Sequence, residues 1–192
     1  MPTGSLNPDE VRIIESGNVY YRRPSALNRP TDAGTPLHSS FQHGGYVDNE
    51  SVSISPDISI ESVMKWQSKM AVKVYVSEIG LQVNFTMNQV NRENFGLWLF
   101  GQEWENAPNG ESHLAVPSNV TIGDLERELV IEFTDDQDDT TRFYFTRGVV
   151  TDREELTLGK TDVKLGVTYM VLDAGNDLMF DVWSTNDDLY SA

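Results

Sequence analysis

The chain has no cysteine, few basic residues and no long apolar run, and each shortage removes a class of function. Without cysteine there is no disulfide and no thiol nucleophile. Fourteen lysines and arginines stand against thirty acidic residues, a formal net charge of −16. The basic residues nowhere cluster beside aromatics, so ordinary nucleic-acid binding is disfavoured: such surfaces gain affinity by replacing phosphate counterions with cations. No apolar stretch approaches membrane-spanning length. The opening "MPTGSLNPDEVRIIESG" lacks the basic start and apolar centre of a secretory leader, which predicts assembly in a cytoplasm. The Asn-x-Ser/Thr matches at Asn49, Asn84 and Asn119 then read as chance.

Catalytic signals are also scarce. "LGKT" (Leu158 to Thr161) ends like a phosphate-binding loop, but that loop needs glycine where Glu154 stands. "DDQDD" (Asp135 to Asp139) has clustered carboxylates without the spacing, glycine or terminal glutamate of a calcium loop, and reads as a solvated hairpin tip. His38, His43 and His113 have no metal-ligand spacing, and no Gly-x-Ser-x-Gly elbow seats a serine. Glu126, Glu128 and Glu132 could supply a carboxylate pair for sugar hydrolysis, although a charged strand face explains them better. Trp66 and Trp98 could stack on sugars or lie in a core. No enzyme, cofactor or metal site is expected.

What is present is strand pattern. Residues 1–43 are rich in Pro, Ser, Asn, Thr and Gly around one strand-like island, "NVYYRRP", and read as an extended arm. Residues 44–70 mix two periods. "SVSIS" alternates, Pro56 stops it, and a short helical turn ending near Trp66 is preferred over a strand. Residues 71–192 read as a single β-rich core. Within it "AVKVYVSE" and "LQVNFTMNQ" each alternate and meet at Ile79 and Gly80, which predicts a tight hairpin. "NRENFGLWLFG" predicts a short apolar helix with Asn91 as N-cap and Gly101 at its end. A second hairpin runs "RELVIEF" to "TRFYFTRGVV", followed by "DVKLGVTYMVLDA" and "DLMFDVWS" with a turn at Gly175 and Asn176. About seven strands and one helix predict an antiparallel β-sandwich or partly closed barrel.

"GGYVDNESVSISPDISIESVMKWQSK", two alternating strands and "NQVNRENFGLWLFG", with the opening "SGNVYYRRPSALNRPTDAGTPL", together resemble the major tail tube proteins of long-tailed, non-contractile bacteriophages, particularly those of actinobacteria. The resemblance covers most of the chain. Some relatives append an immunoglobulin-like domain, and no such surface module is expected here. The resemblance implies a virion protein that forms hexameric rings stacked into a hollow tube. A tape-measure protein would lie inside, terminator and tail-tip initiator proteins would contact the ends, and DNA would later pass through the lumen without specific binding.

On that reading Tyr46, Val47, Ile58, Ile60 and Trp66 are inter-subunit candidates, with Trp66 either an interface anchor or an ordinary core residue. Apolar Leu81, Val83, Phe85 and Met87 on one strand, and Leu129, Ile131 and Phe133 on another, would face inward. Gln82, Asn84, Thr86, Asn88, Glu128 and Glu132 would then face a wet lumen poor in cations. The rival reading is a carbohydrate-binding or adhesin-like β-sandwich, monomeric and stabilised by sugars.

Overall fold

A computed structural model describes residues 11–48, 50–159, 162–175 and 178–186. In chain order its elements are β1 (Ile14–Arg22), β2 (Gln42–His43), β3 (Ser53–Val63), β4 (Lys73–Met87), α1 (Arg92–Trp98), β5 (Glu105–Asn106), β6 (Ser112–His113), α2 (Ile122–Leu125), β7 (Glu126–Asp135), β8 (Thr140–Arg153), β9 (Leu165–Val171) and β10 (Asp181–Ser184). All pairing is antiparallel. Eight strands form one sheet in the order β2-β1-β7-β8-β9-β4-β3, with β10 also on β8.

The long strand β8 turns this sheet into a sandwich. Thr140–Val149 pair with β7, Thr141–Tyr144 with β10, and Gly148–Arg153 with β9, so one strand serves both layers. Register shifts between Arg127 and Leu129 and between Val150 and Asp152 supply the irregularity that lets it bend. Between the layers lie Val19 and Tyr21 of β1, Leu129 and Ile131 of β7, Phe145 and Val150 of β8, Leu165 to Tyr169 of β9 at alternate positions, and Leu81 to Met87 of β4 at alternate positions. That inward set matches the alternation in the sequence.

The helix forms as its sequence predicts. Asn91 Oδ1 accepts from the Asn94 N–H at 2.7 Å, capping α1, and Phe100 and Gly101 at φ +60° and +71° end it. Leu97 is buried in the core, while Asn94 is wholly buried and bonded to Tyr21 Oη and two backbone carbonyls. The second hairpin also forms as expected, with β7 and β8 joined at Asp136–Asp139. The last two strands, expected to meet at a turn at Gly175 and Asn176, do not pair with each other: β9 lies between β8 and β4, and β10 lies on β8. Asn49, Asn176 and the Lys160–Thr161 end of "LGKT" lie outside the described residues.

Two expectations are corrected. The first is the hairpin at Ile79 and Gly80. Lys73–Met87 is one continuous strand, and its partner is β3, a strand where a helical turn was preferred and within which Pro56 pairs with Leu81. Pro56 is tolerated because β3 is an edge strand of the sheet. What looked like a turn is a phase change. Apolar residues fall on even numbers at Val72, Val74 and Val76 and on odd numbers from Ile79 to Met87, and the β3–β4 register skips Ser77 between Ser59↔Glu78 and Ile60↔Val76. The bulge absorbs the extra residue and keeps both apolar runs on one face.

The second correction concerns β7. Glu128, expected to point to water, is fully buried, and so is the neighbouring Val130. Residues 25–41 cover that face. Phe41 and Leu37 pack with Val130 and Tyr144, the Ser25 N–H donates to Glu128, and Arg142 donates to the carbonyls of Asp32 and Thr35. Thus β7 is covered on both sides, a pattern that strict alternation cannot announce.

Candidate assembly and lumen surfaces

Strand β9 pairs with β4 only from Gln82 to Met87. Beyond Gln82 the β3–β4 ribbon therefore projects from the body as a two-stranded arm, spanning roughly residues 57–80. The core-facing stripe continues onto it without anything to cover it: Ile58, Ile60, Val72, Val74, Val76 and Ile79 are all more than half exposed. At the tip Met64 and Met70 are exposed and Trp66 is wholly so, which removes the reading of Trp66 as a core residue of this subunit. The opposite face carries Asp57, Ser59, Glu61, Lys73, Tyr75 and Glu78, with Tyr75 Oη donating to Glu61 at 2.6 Å. Isolated two-stranded ribbons are marginal in water, and contiguous exposed apolar faces mark interaction sites.

Of the other inter-subunit candidates, Tyr46 is exposed, whereas Val47 packs against the core and bridges to Met87. Gly45 at φ +72° starts that turn, where a side chain would strike Gln89.

The predicted lumen residues separate into two groups. Gln82 is exposed and Asn84 half-buried, in a polar network: Thr168 Oγ1 donates to Asn84 Oδ1 at 2.8 Å and Asn84 Nδ2 to Ser53 Oγ at 3.2 Å. With Ser55 opposite Gln82, they form a patch of amides and hydroxyls. Thr86 is buried beside Asp48 and Ser51, its backbone bonded to Ser51 Oγ and the Asp48 N–H, and Asn88 is half-buried beside the Tyr46 carbonyl.

The three glutamates that alternation singled out each meet an arginine: Glu126–Arg147 at 2.6 Å, Glu128–Arg22 at 2.6 Å and Glu132–Arg142 at 2.5 Å. Two of these pairs lie directly across strand registers, Arg22↔Glu128 and Glu132↔Arg142. They are structural ion pairs, and this is the arrangement that sequence reasoning missed. Its signal was the spacing of Arg22, Arg142 and Arg147 on flanking strands, readable only once the register is known. At the β7–β8 tip, Asp135 accepts from the Gln137 and Asp139 N–H groups and pairs with Arg12 at 3.1 Å; these bonds and the Arg12 charge outweigh the cost of burial and hold its carboxyl below the usual range. No group of three potential metal ligands occurs among the described residues.

No curated protein matches the chain. A family model described as phage tail tube protein matches residues 4–192.

Proposed function

The chain belongs to the phage tail tube protein family, a structural component of the virion tail that self-assembles into a tube, and from that premise we propose that it forms hexameric rings that stack into the conduit for DNA ejection of a non-contractile tail. The observation that carries this reading is the β3–β4 arm, whose apolar face a lone subunit leaves in water. Burying Ile58, Ile60, Val74 and Val76 against another copy removes that cost at about 25 cal/mol per Å² of apolar area. Trp66 and Tyr46 serve as the aromatic anchors of the contact. Residues 44–70 and the partnering stretch 71–80 act as the assembly element, on the body that the other described residues form.

Gln82 and Asn84, with Ser53 and Thr168, are the residues we assign to the lumen wall. Their amides and hydroxyls present no cation to passing phosphates, and Arg142 of the second hairpin is buried and paired with Glu132. The tape-measure protein would occupy that lumen before DNA, and terminator and tip-initiator proteins would cap the ends.

The test is electron microscopy and sedimentation of the purified chain across a concentration series, with and without tail-tip extract. Hollow tubes of stacked six-fold rings are expected. Monodisperse globules under every condition would sink the reading.

A further inference from the structure

A cavity of about 490 Å³ lies between the end of β1, the start of α1 and the loop that follows it. Four of the chain's fourteen basic residues line it: Arg22, Arg23, Arg92 and Arg127. In so acidic a protein that concentration of positive charge needs a reason.

The subunit itself satisfies only part of it. Arg22 is paired with Glu128 at 2.6 Å and Arg23 with Glu103 at 2.9 Å. Arg127, almost fully buried, donates only to the backbone carbonyls of Asp124, Glu126 and Gly101. Arg92 donates only to the neutral side chains of Asn106 and Ser112. Burial, with the Arg23 charge nearby, lowers the Arg127 guanidinium to about 10. Two of the lining residues also hold buried donors without an acceptor in the subunit, Arg22 Nη2 and Trp104 Nε1. The charge that the subunit leaves unmatched is on Arg92 and Arg127, and an oxyanion supplies the charged acceptor that these two lack.

We propose that this cavity receives a carboxylate side chain from a second copy of the chain, held by Arg92 and Arg127. A planar carboxylate suits the guanidinium fork, which donates two parallel hydrogen bonds. Copies of net charge −16 brought together in a tube must place acids of one against another, and a carboxylate buried there needs a cation. Nucleic acid fits less well: the arginines stand in one cavity, and the remaining surface of so acidic a chain offers little positive charge to extend the contact along a row of phosphates. This inference rests on the tube reading.

The test has two arms. In the first, 15N spectra of the unassembled full-length subunit follow the Trp104 indole and the arginine Nε–H signals during titration with sodium acetate, with sodium chloride at matched ionic strength, inorganic phosphate and a DNA oligonucleotide as controls. In the second, Arg92→Gln and Arg92→Lys are assayed for tube formation; Arg92 is exposed at the first turn of α1, so melting checks that folding is intact. Expected are saturable shifts at Trp104 and Arg127 with acetate but not chloride. Arg92→Gln is expected to raise the concentration needed for tubes by at least about tenfold at unchanged melting temperature, partly recovered in Arg92→Lys. A response no larger than that to chloride, tighter binding of phosphate or DNA, or Arg92→Gln tubes at the wild-type concentration would each overturn the inference. Wild-type tubes without an acetate response would overturn the cavity alone. An acetate response from a wild-type chain that never forms tubes would overturn the tube, and the second-copy occupant with it.

Discussion

Arg22 and Glu128 face each other across the β1–β7 register, Nε to Oε2 at 2.6 Å, and both are buried. The glutamate also accepts from Tyr144 Oη at 3.1 Å and the Ser25 N–H at 2.6 Å, while the Arg22 guanidinium donates to Ser40 and lies over the Phe41 ring. This one pair therefore ties β1, β7, β8 and the segment 25–41 together. Removing one partner strands a buried charge, so Arg22→Met or Glu128→Leu should cost about 3–5 kcal/mol, whereas the double variant should lose much less than the sum. Urea unfolding of the four chains measures the coupling. Additive losses would mean that the two residues act separately.

Tyr144 gives a pH dependence of stability. Burial first, and the Glu128 carboxylate second, push its phenol up to about 12, above its ordinary value of 10.0. Between those values the unfolded chain has released the proton that the native chain keeps. Stability from this group is thus complete below pH 10 and falls as pH rises toward 12. Urea midpoints at pH 9, 10 and 11 should decline, and the decline should be shallower in Tyr144→Phe. An equal slope in both chains would refute the assignment.

Trp66 touches nothing that a single subunit can offer, so Trp66→Ala should change folding stability by no more than about 0.5 kcal/mol. Its cost appears in assembly, on the order of 2 kcal/mol for each contact if the indole is a buried anchor there. Circular dichroism melting beside a sedimentation assay separates the two. A large fall in melting temperature would contradict the exposed placement.

Deleting Ser77 removes the bulge and leaves β4 with an uninterrupted alternation. Val72, Val74 and Val76 then stay on the face of Ile79 and Leu81, because Val76 still meets Ile60 while Glu78 meets Ser59, and the apolar stripe of the arm is kept. The body, whose pairing with β9 begins at Gln82, should keep its melting temperature, and tubes should still form. Loss of tubes at an unchanged melting temperature would show that the bulge itself, and not the stripe, makes the contact.

The arm also shows where the sequence was readable. Alternation from Leu81 to Met87 and from Leu129 to Phe133 identifies inward faces because each residue's direction depends only on its neighbours in the chain. The same local rule misreads Ile79 and Gly80, since a one-residue phase change is the mark of a bulge as much as of a turn, and only the partner strand decides between them. Glu128 fails for another reason. Its burial is caused by residues about a hundred positions earlier in the chain, a distance over which periodicity says nothing. The tail tube resemblance, carried by whole stretches and not by single positions, survived both errors.

The lumen assignment makes the last prediction. Gln82 and Asn84 stand on the solvent face of β4 among Ser53, Ser55 and Thr168, a surface with hydroxyls and amides but no ammonium or guanidinium group. Thr86, in the same alternation, is buried beside Asp48 and Ser51 and is left unchanged. If this patch lines the channel, each lysine placed there replaces counterions on passing DNA, and retention should weaken steeply with salt. Gln82→Lys with Asn84→Lys should leave the core intact, because neither side chain enters it. Tubes should form, hold DNA at low salt and release it at high salt, and phage carrying the variant should eject less genome. Wild-type tubes should hold none. Normal tubes with normal ejection would place this face away from the channel, and failure to form tubes despite a normal melting temperature would place it in a contact between subunits.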